Sequence, residues 1–391
     1  MDEFNDRATI MTMLKQGGYA MSVNEQTAVN EPSDASRAAR KKVKHGIIDC
    51  DVHPIPKSMD QIRQYLPKFW KERFRGGGRG LFYGNPSHGM RQDSLPPDGG
   101  PAGSDPGFMR KQLLEANNIK TAILIPRENS CQFPDLDYGN AIASAYNEWI
   151  ADTWIGPGDN HDGIFKSSIV INHSDPASAA KEIDRWAGHK HFIQVTTDSG
   201  ARFLMGHRNF HPIFEACSRH HLPLALHPGL DGIGINILPS PGNPSHYIEW
   251  HTCMSLSFQA HLVSLLTEGT FERFPDLRIV LVEGSSTWLV PLMWRLDMEY
   301  KALRHEIPWV KKLPSEYLRD HVRITSQPLE RPSNDEDFMD MLRMMDAEHL
   351  LMFSSDYPHW DFDNPKSAFP KLPEKLYNRI FFENAEEFYG L

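Results

Sequence analysis

The chain has 391 residues, of which 40% are hydrophobic and 24% are charged, a composition typical of a soluble globular enzyme with a sizeable buried core. Its formal net charge of −10 argues against non-specific nucleic-acid binding. No apolar run is long enough to span a membrane and no signal-peptide pattern is present, so we expect neither a membrane segment nor secretion.

The first 45 residues are polar and end in the basic run Arg37–Lys44. They offer too little apolar surface to fold alone, which predicts a flexible, solvated tail over residues 1–45. The remainder, residues 46–391, is expected to form one domain. Its four cysteines are scattered without CxxC spacing, which favours a reducing compartment and hence a cytoplasmic protein.

The stretch Ile47–Pro54 begins as a short apolar strand. Side chains alternate faces along a strand, so Asp49, Asp51 and His53 would share one side. Burying two carboxylates and an imidazole together is costly unless something compensates their charge, and a divalent cation would do so. The alternative is a strand-end turn with a capping aspartate and a solvated histidine.

An aromatic helix is expected around Gln61–Phe74. The segment Arg75–Gly107 that follows is rich in Gly, Pro and Asp and is predicted to be a lid or pocket wall. Near its end, Ser104-Asp105-Pro106 is typical of a helix start, with Phe108, Leu113 and Leu114 on the buried side.

Short β-type apolar runs then alternate with segments of helical periodicity. The helices are expected at Tyr138–Trp154, Ala177–Ala187, Phe210–His220 and Ser255–Phe271. With the first strand there are eight strands, the others being expected at Thr121–Ile125, Phe165–Ile171, Phe192–Val195, Pro223–Leu226, Arg278–Val282, Val322–Thr325 and His349–Phe353. This rhythm predicts an α/β fold, a (β/α)8 TIM barrel with loop insertions. A doubly wound open sheet is the alternative, weakened because no GxGxxG or P-loop follows any strand.

Active sites of such barrels lie at the C-terminal ends of the strands. Four of the predicted strands end on an acid or a histidine that Pro or Gly follows within two residues. These ends carry His53, His227, Glu283 and Asp356. One such histidine would suggest a structural role, but four similar endings together predict a metal site.

Several motifs together resemble the amidohydrolase superfamily, and in particular its branch containing aminocarboxymuconate-semialdehyde decarboxylase and the dihydroxybenzoate decarboxylases. The motifs are IIDCDVHP, LPLALHPG, FERFPDLRIVLVEG followed by WLVPLMWRLD, and LMFSSDYPHWD. The resemblance runs from about Gly46 to Leu391.

The resemblance implies one divalent ion, with positions left open for water and substrate. Zinc is the expected ion, and manganese and iron are alternatives. Its implied ligands are Asp51, His53, His227 and Asp356. Strand 4, read as Phe192–Val195, lacks the lysine or glutamate that bridges two metals in binuclear members, so a mononuclear site is favoured.

The family often has a catalytic histidine at the end of strand 6, where this chain has Glu283. We expect Glu283 to be a general acid or base, since burial raises a carboxyl pKa towards working pH. Two alternatives remain: a structural acid paired with Arg295 or Arg323, or a ligand of a second metal. Asp356 is expected to accept a proton from bound water besides binding metal, and Asp49 to support the ligands by hydrogen bonding.

His359, His251 and Arg127 are expected to meet the substrate. His359 follows Asp356, His251 lies in an aromatic loop after strand 5, and Arg127 follows strand 2. A purely structural role is an alternative for each.

These features predict a metal-dependent hydrolase or non-oxidative decarboxylase (a carboxy-lyase) acting on a small carboxylate-bearing or cyclic molecule, through a metal-activated water or a metal-bound substrate. One alternative is an iron- or manganese-dependent monooxygenase on the same scaffold. Another is a non-catalytic subunit of a hetero-oligomer. A homo-oligomer, a dimer, is expected, and Trp288, Leu292, Trp294 and Leu296 would form either a core helix face or a subunit contact.

Overall fold

The computed structural model describes residues 46–74, 89–158, 160–239 and 242–391. The predicted flexible tail, 1–45, lies outside the described residues. So does the first part of the predicted lid or pocket wall, 75–88.

Eight parallel strands follow one another around a single sheet in the order of the sequence. They are β1 Ile47–Val52, β2 Ile119–Leu124, β3 Phe165–Val170, β4 Phe192–Asp198, β5 Leu224–His227, β6 Ile279–Leu281, β7 Val322–Thr325 and β8 Leu351–Met352. Backbone bonds join the first strand to the last: Cys50 N donates to Phe353 O at 3.0 Å, and Asp356 N donates to Asp51 O at 3.0 Å. The predicted (β/α)8 barrel is therefore confirmed.

Helices occupy the connections between strands, as parallel neighbours require, and two more follow the last strand. They are α1 Met59–Arg63, α2 Lys68–Lys71, α3 Pro106–Met109, α4 Leu136–Thr153, α5 Pro176–Trp186, α6 His211–His220, α7 Tyr247–Cys253, α8 Ser255–Thr267, α9 Thr270–Arg273, α10 Leu289–Leu303, α11 Leu318–His321, α12 Asp335–Met344, α13 Ala347–Leu350, α14 Glu374–Asn378 and α15 Asn384–Tyr389. Two π-helical turns, Arg110–Glu115 and Arg379–Glu383, extend α3 and join α14 to α15.

Local sequence explains where several helices begin. Asp105 caps α3 by accepting a hydrogen bond from Phe108 N, and Pro106 occupies the first helical position. The predicted start, a capping polar residue with Pro in the first turn, is therefore confirmed. Asp175 caps α5 in the same way, accepting from Ser178 N at 3.3 Å.

Two predicted helices are interrupted. The helix expected over Gln61–Phe74 is two short helices, α1 and α2, because Pro67 lies between them and cannot continue the first. The helix expected over Ser255–Phe271 ends at Thr267, since Gly269 takes a left-handed φ of +68° before α9 begins.

The barrel interior is filled by alternate strand residues, including Ile48, Cys50, Ile123, Ile125, Val280 and Val282, and by Phe388 of α15. A second, larger cluster lies between the strands and the surrounding helices. Apolar packing thus fills the interior below the C-terminal strand ends, and polar side chains gather at those ends. The pairing register of β1 with β2 also shifts between Asp49 and Val52, at the residues that begin the site.

Candidate metal centre

The end of β1 supplies two fully buried polar side chains, Asp51 and His53. His53 Nδ1 lies 2.8 Å from the backbone oxygen of Ile125, to which it donates. This bond fixes the tautomer and leaves Nε2 with a lone pair, as a metal ligand requires. His53 Nε2 lies 3.2 Å from Asp51 Oδ1.

β5 and β6 bring a second pair towards the first. His227 Nε2 lies 2.7 Å from Glu283 Oε2 and 3.7 Å from Asp51 Oδ2. Asp51, His53, His227 and Glu283 each offer one donor atom, and these four atoms all lie within 4.8 Å of one another. Glu283 adopts a left-handed φ of +55°, uncommon for a residue with a side chain, which places strain at the site.

Asp356, which follows β8, joins the cluster from the other side. Its Oδ1 lies 2.9 Å from His53 Nε2 and 2.5 Å from His359 Nδ1. Its Oδ2 accepts a hydrogen bond from Gln327 Nε2 at 3.1 Å. A second overlapping group of donors, again within 4.8 Å of one another, therefore comprises His53, Glu283, Asp356 and His359.

Several buried atoms of this cluster make no hydrogen bond of acceptable geometry among the described residues, although His227 Nε2 and His53 Nε2 lie at ion-pair distance from Glu283 and Asp356. They are both carboxylate oxygens of Asp51, Nε2 of His53, Nε2 of His227 and Oε2 of Glu283. Leaving so many buried polar atoms unpaired would be costly, and a cation coordinated by them would remove the cost. The donors are carboxylate oxygens and imidazole nitrogens, which suit a divalent metal such as zinc or manganese. The residues present therefore fit one divalent ion.

The three histidines of the cluster, His53, His227 and His359, differ in their pKa. Burial lowers the pKa of His53 to about 3, so its imidazole is neutral and able to bind metal. Burial acts in the same direction on His227 and His359, but nearby carboxylates outweigh it and raise the pKa of each to about 9. The carboxylates are Glu283 and Asp51 for His227, and chiefly Asp356 for His359. A metal ion and a proton therefore compete for Nε2 of His227.

Asp49 lies behind the cluster and is fully buried. Its Oδ1 accepts hydrogen bonds from Ser355 N at 2.9 Å and Asp51 N at 3.3 Å. Burial raises its pKa to about 7. Asp49 thus holds the loop after β8 against β1, and its support of the metal ligands stays a prediction.

Arg127 is engaged by protein groups next to His227. Its Nη1 lies 2.9 Å from Asp198 Oδ1 and 2.7 Å from His227 Nδ1, and its Nη2 donates to the oxygen of Pro228 at 2.8 Å. This arrangement braces His227, and the substrate contact expected of Arg127 stays a prediction. Asp198 was missed because strand 4 was taken to end at Val195. The polar sequence Thr196-Thr197-Asp198 after the apolar run was the available signal.

His251 and Asp361 lie at the rim of the mouth, with His251 Nε2 and Asp361 Oδ2 3.1 Å apart. The same oxygen of Asp361 accepts a hydrogen bond from Gln327 Nε2 at 2.9 Å. Gln327 therefore connects the rim to Asp356, a role that sequence reasoning did not assign. The described part of the predicted pocket wall also reaches this rim, since Arg91 N donates to Pro358 O at 2.9 Å.

The arginines considered as structural partners of Glu283 are engaged elsewhere. Arg295 pairs with Glu299 at 2.7 Å, and Arg323 donates to the backbone oxygens of Arg319 and Val322. The backbone N of Glu283 also donates to Thr325 Oγ1 at 3.1 Å. The side chain of Glu283 thus belongs to the cluster.

A family model described as amidohydrolase matches residues 48–391, nearly the whole of the domain. The chain belongs to the amidohydrolase family. The resemblance found in the sequence motifs is thereby confirmed.

Several similar proteins are decarboxylases. The chain is 25% identical over 284 residues to the gamma-resorcylate decarboxylase of Rhodococcus jostii (strain RHA1), covering 66% of this chain and 78% of that protein. It resembles the dihydroxybenzoic acid decarboxylase of Polaromonas sp. JS666, solved with manganese and the inhibitor 2-nitroresorcinol, with a TM-score of 0.62, 17% identity and coverage of 88% and 97%. It also resembles 5-carboxyvanillate decarboxylase of Novosphingobium aromaticivorans DSM 12444, solved with manganese, with a TM-score of 0.64, 20% identity and coverage of 90% and 97%.

The protein is thus an amidohydrolase-superfamily enzyme. Within the described residues, no helix combines the length and the apolar character that crossing a membrane needs.

Proposed function

We propose that the protein is a metal-dependent, non-oxidative decarboxylase (carboxy-lyase) of small aromatic carboxylates. The observation that carries this proposal is the buried cluster of unpartnered carboxylate and imidazole atoms at the C-terminal mouth of the barrel. The activity named for the similar proteins supports the reaction class and the aromatic carboxylate substrate.

Asp51, His53, His227 and Asp356 would hold one divalent ion. Zinc was the expectation from the sequence, whereas manganese is the ion found in the two similar structures. When bound, such an ion draws electron density from oxygens of the substrate and neutralises its negative charge.

Decarboxylation adds one proton to the ring carbon and breaks the bond from that carbon to the carboxylate. The electron pair of this bond returns to the ring, and carbon dioxide leaves. Glu283 is the proposed proton donor, because it lies at the mouth with only 7% of its surface exposed and its Oε2 is unpartnered. His227 Nε2 lies 2.7 Å from that oxygen, so the carboxyl of Glu283 is next to the proposed ligand set.

Asp356 is held in place for a second role. Gln327 binds one of its oxygens and His359 the other, at 3.1 and 2.5 Å, so the carboxylate cannot turn away from the centre. We propose that Asp356 orients the reacting carboxylate and accepts a proton from a substrate hydroxyl or a water, besides serving as a ligand. His359 would contact the substrate from the same side.

Elemental analysis of the purified chain, followed by a carbon dioxide release assay, tests this function. We expect about one zinc or manganese per chain and release of carbon dioxide from hydroxybenzoates. A metal-containing protein that releases carbon dioxide from none of them but cleaves amides or esters would be a hydrolase instead. Hydrolysis needs the same metal ligands. Protein that contains no metal and gains no thermal stability from added zinc or manganese would favour the non-catalytic subunit.

One observation favours a second function. Glu283 and His359 form, with His53 and Asp356, a second overlapping group of donors. Glu283 could thus share a second metal ion, and two ions including iron would support the monooxygenase on this scaffold. Two metals per chain, with dioxygen consumed on addition of substrate, would place this function first.

We also propose a cytoplasmic location and a homodimer. The four cysteines are all free thiols, which supports a reducing compartment. The exposed Trp294 and Met298 of α10 support self-association.

A further inference from the structure

Gln327, two residues after β7, is a fully buried amide that lies between two carboxylates. Its Nε2 donates to Asp356 Oδ2 at 3.1 Å and to Asp361 Oδ2 at 2.9 Å. An amide nitrogen carries two N–H bonds, so each carboxylate can accept one of them. Gln327 therefore uses both of its side-chain donors to join a proposed metal ligand to a residue at the rim.

The two carboxylates also determine which way this amide faces. If the amide were turned by half a rotation, its Oε1 would lie against two carboxylate oxygens, and oxygens that only accept hydrogen bonds repel one another. In the observed orientation Oε1 is buried and has no hydrogen-bond partner among the described residues. An unpaired buried acceptor is costly, and the two bonds to carboxylates offset that cost because charge-assisted bonds are stronger than neutral ones.

The backbone that carries this amide is fixed to the neighbouring strand end. Gln327 N donates to Ser354 Oγ at 3.0 Å, and Ser326 N donates to Met352 O at 2.9 Å. Ser326, Gln327 and Ser354 are all fully buried. The amide nitrogen therefore has a defined position relative to the loop that begins after β8.

Asp356 needs such support because its backbone conformation is unusual. Its φ of +59° lies in the left-handed region, which residues with side chains seldom occupy. Such a conformation persists where surrounding contacts over-determine it. His359 Nδ1 lies 2.5 Å from Asp356 Oδ1, and Gln327 binds Oδ2. Without the amide, the carboxylate could rotate about its contact with His359, and the direction in which it presents its oxygens would change.

The same amide is held from the rim. Asp361 Oδ2 lies 3.1 Å from His251 Nε2, and the two side chains are 12% and 16% exposed. His251 belongs to α7, in the connection after β5, so this pair joins α7 to the loop after β8. One oxygen of Asp361 is thus shared by His251 and Gln327, and a change at the rim alters what the amide can bind.

We infer that Gln327 is a positioning residue that couples the rim pair His251–Asp361 to the proposed ligand Asp356. The amide holds Asp356 in the orientation in which it binds the ion, and Asp361 holds the amide. The rim therefore tunes the affinity of the centre for its ion, although neither rim side chain belongs to the two groups of donor atoms. The inference rests on the metal site of the proposed function and is independent of the reaction carried out there.

Binding of Mn²⁺ to the metal-stripped protein, measured by titration calorimetry, tests this inference. Gln327→Met keeps the length of the side chain but removes both donors, and it should weaken Mn²⁺ binding by about 10- to 100-fold. The visible absorption spectrum of the Co²⁺-loaded protein should change as well, because it reports the arrangement of ligands around the ion.

Gln194→Met is the matched control. Gln194 is also fully buried, and its Nε2 donates to Ser168 Oγ at 2.8 Å, away from the donors of the centre. This variant loses a buried amide in the same way, so it should lose stability but keep the Mn²⁺ affinity and the Co²⁺ spectrum of the wild-type protein.

A double-mutant cycle tests the coupling to the rim. Asp361→Ala should weaken Mn²⁺ binding by about threefold or more in the otherwise wild-type protein. In the Gln327→Met background the same substitution should have a clearly smaller effect, because the amide that transmits it is absent. An effect of equal size in both backgrounds would show that Asp361 acts on the ion through space, and would overturn the inference.

Wild-type affinity and an unchanged spectrum in Gln327→Met would also overturn it. If circular dichroism shows that Gln327→Met does not fold, Asp361→Ala decides alone: unchanged Mn²⁺ affinity overturns the inference, and weaker binding with a changed Co²⁺ spectrum supports it. Because turnover is not measured, these results are separate from a failure of decarboxylation. A protein whose Mn²⁺ affinity depends on Gln327 but which releases no carbon dioxide would refute the proposed reaction and leave the inference standing.

Discussion

At the scale of single residues, His227 carries the clearest test of the metal site. Its Nε2 is buried, unpartnered and close to Asp51 and Glu283, while its Nδ1 side is braced by Arg127. We expect His227→Ala to lose bound metal and activity but to keep the barrel, because the apolar packing around the strands is unchanged. Metal content by mass spectrometry and circular dichroism measure the two effects. His220→Ala, at a surface histidine paired with Asp184, is the control. A fully metallated and active His227→Ala protein would refute the ligand assignment.

Glu283 separates acid–base chemistry from metal binding. Glu283→Gln keeps the shape of the side chain but cannot transfer the proton, so turnover should fall by about 10²-fold or more. Metal content should stay near that of the wild-type protein if Glu283 is the proton donor, and should fall if it is a ligand. Glu299→Gln, which removes a carboxylate paired with Arg295, should leave turnover unchanged. An unchanged turnover rate in Glu283→Gln would indicate that Glu283 has a structural role.

The buried imidazole of His173 should make the free energy of unfolding depend on pH. It is buried beside Thr197, and burial, with a smaller contribution from His261, lowers its pKa to about 4. The unfolded chain takes up the proton below pH 6.5, while the folded chain does so only near pH 4, so stability falls as pH drops between these values. The loss attributable to His173 is at most about 3.5 kcal/mol, from about 1.4 kcal/mol per pKa unit.

His173→Gln should therefore show a shallower fall in unfolding free energy between pH 6.5 and 4, measured by urea titration. His305→Gln should keep the wild-type slope. Equal slopes for His173→Gln and the wild-type protein would show that the buried imidazole does not resist protonation.

The sequence indicated the residues of the centre because their types and their places after apolar runs are local features. Asp51, His53, His227, Glu283 and Asp356 could all be found in this way. Gln327 could not, because its importance lies in its distances to Asp356 and Asp361, which no local pattern encodes. Asp198 had a local signal in the polar end of strand 4, but its pairing with Arg127 is a long-range contact.

At the scale of elements, the ends of β4 and β5 approach closely beside the site. Gly200 N donates to Gly229 O at 2.8 Å, and a Cβ on Gly200 would lie 2.3 Å from the carbonyl carbon of Leu230 and 2.5 Å from Asp231 N. We expect Gly200→Ala to displace the loop after His227, lower stability by about 1–3 kcal/mol and weaken metal retention. Gly188→Ala, where a Cβ would have no neighbour within 4 Å, should change stability by less than about 1 kcal/mol. Thermal unfolding and metal content would check both variants, and a Gly200→Ala protein matching Gly188→Ala would contradict the close approach.

Elements with uniform apolar or periodic character were placed well by sequence reasoning. α5 and α6 each begin within one residue of the expected position, and β7 has the expected bounds. Errors occurred where a single residue overrides the periodicity, as Pro67 and Gly269 do, and at β8, where α13 occupies the start of the expected strand.

At the scale of the whole molecule, barrel closure explains how distant residues form one centre. Asp49 of β1 accepts from Ser355 N, 306 positions later in the chain, and His53 meets Asp356 through the same β1–β8 contact. Because all eight parallel strands end at one rim, side chains from distant parts of the sequence lie in a ring around that rim. The fold class therefore predicted that these residues meet, although it did not predict which donors group with which.

The surface of α10 gives the last prediction, the homodimer. The residues considered as either a core face or a subunit contact divide between two sides of this helix: Trp288, Leu292 and Leu296 pack on the core, whereas Trp294 has 62% of its surface exposed. Met298, one turn further along, is 56% exposed, so an apolar stripe faces outwards. Large exposed aromatic residues of this kind are typical of subunit contacts.

Light scattering coupled to size-exclusion chromatography should give about twice the chain mass for the wild-type protein. Trp294→Asp should shift it towards the monomer, because the carboxylate would be desolvated in the interface without a partner. Arg295→Gln, at an exposed neighbour on the same helix, should leave the dimer intact. Metal content should be equal in all three proteins, since every donor of the centre comes from one chain. A dimer that persists in Trp294→Asp would place the subunit contact elsewhere, and a monomeric wild-type protein would refute self-association.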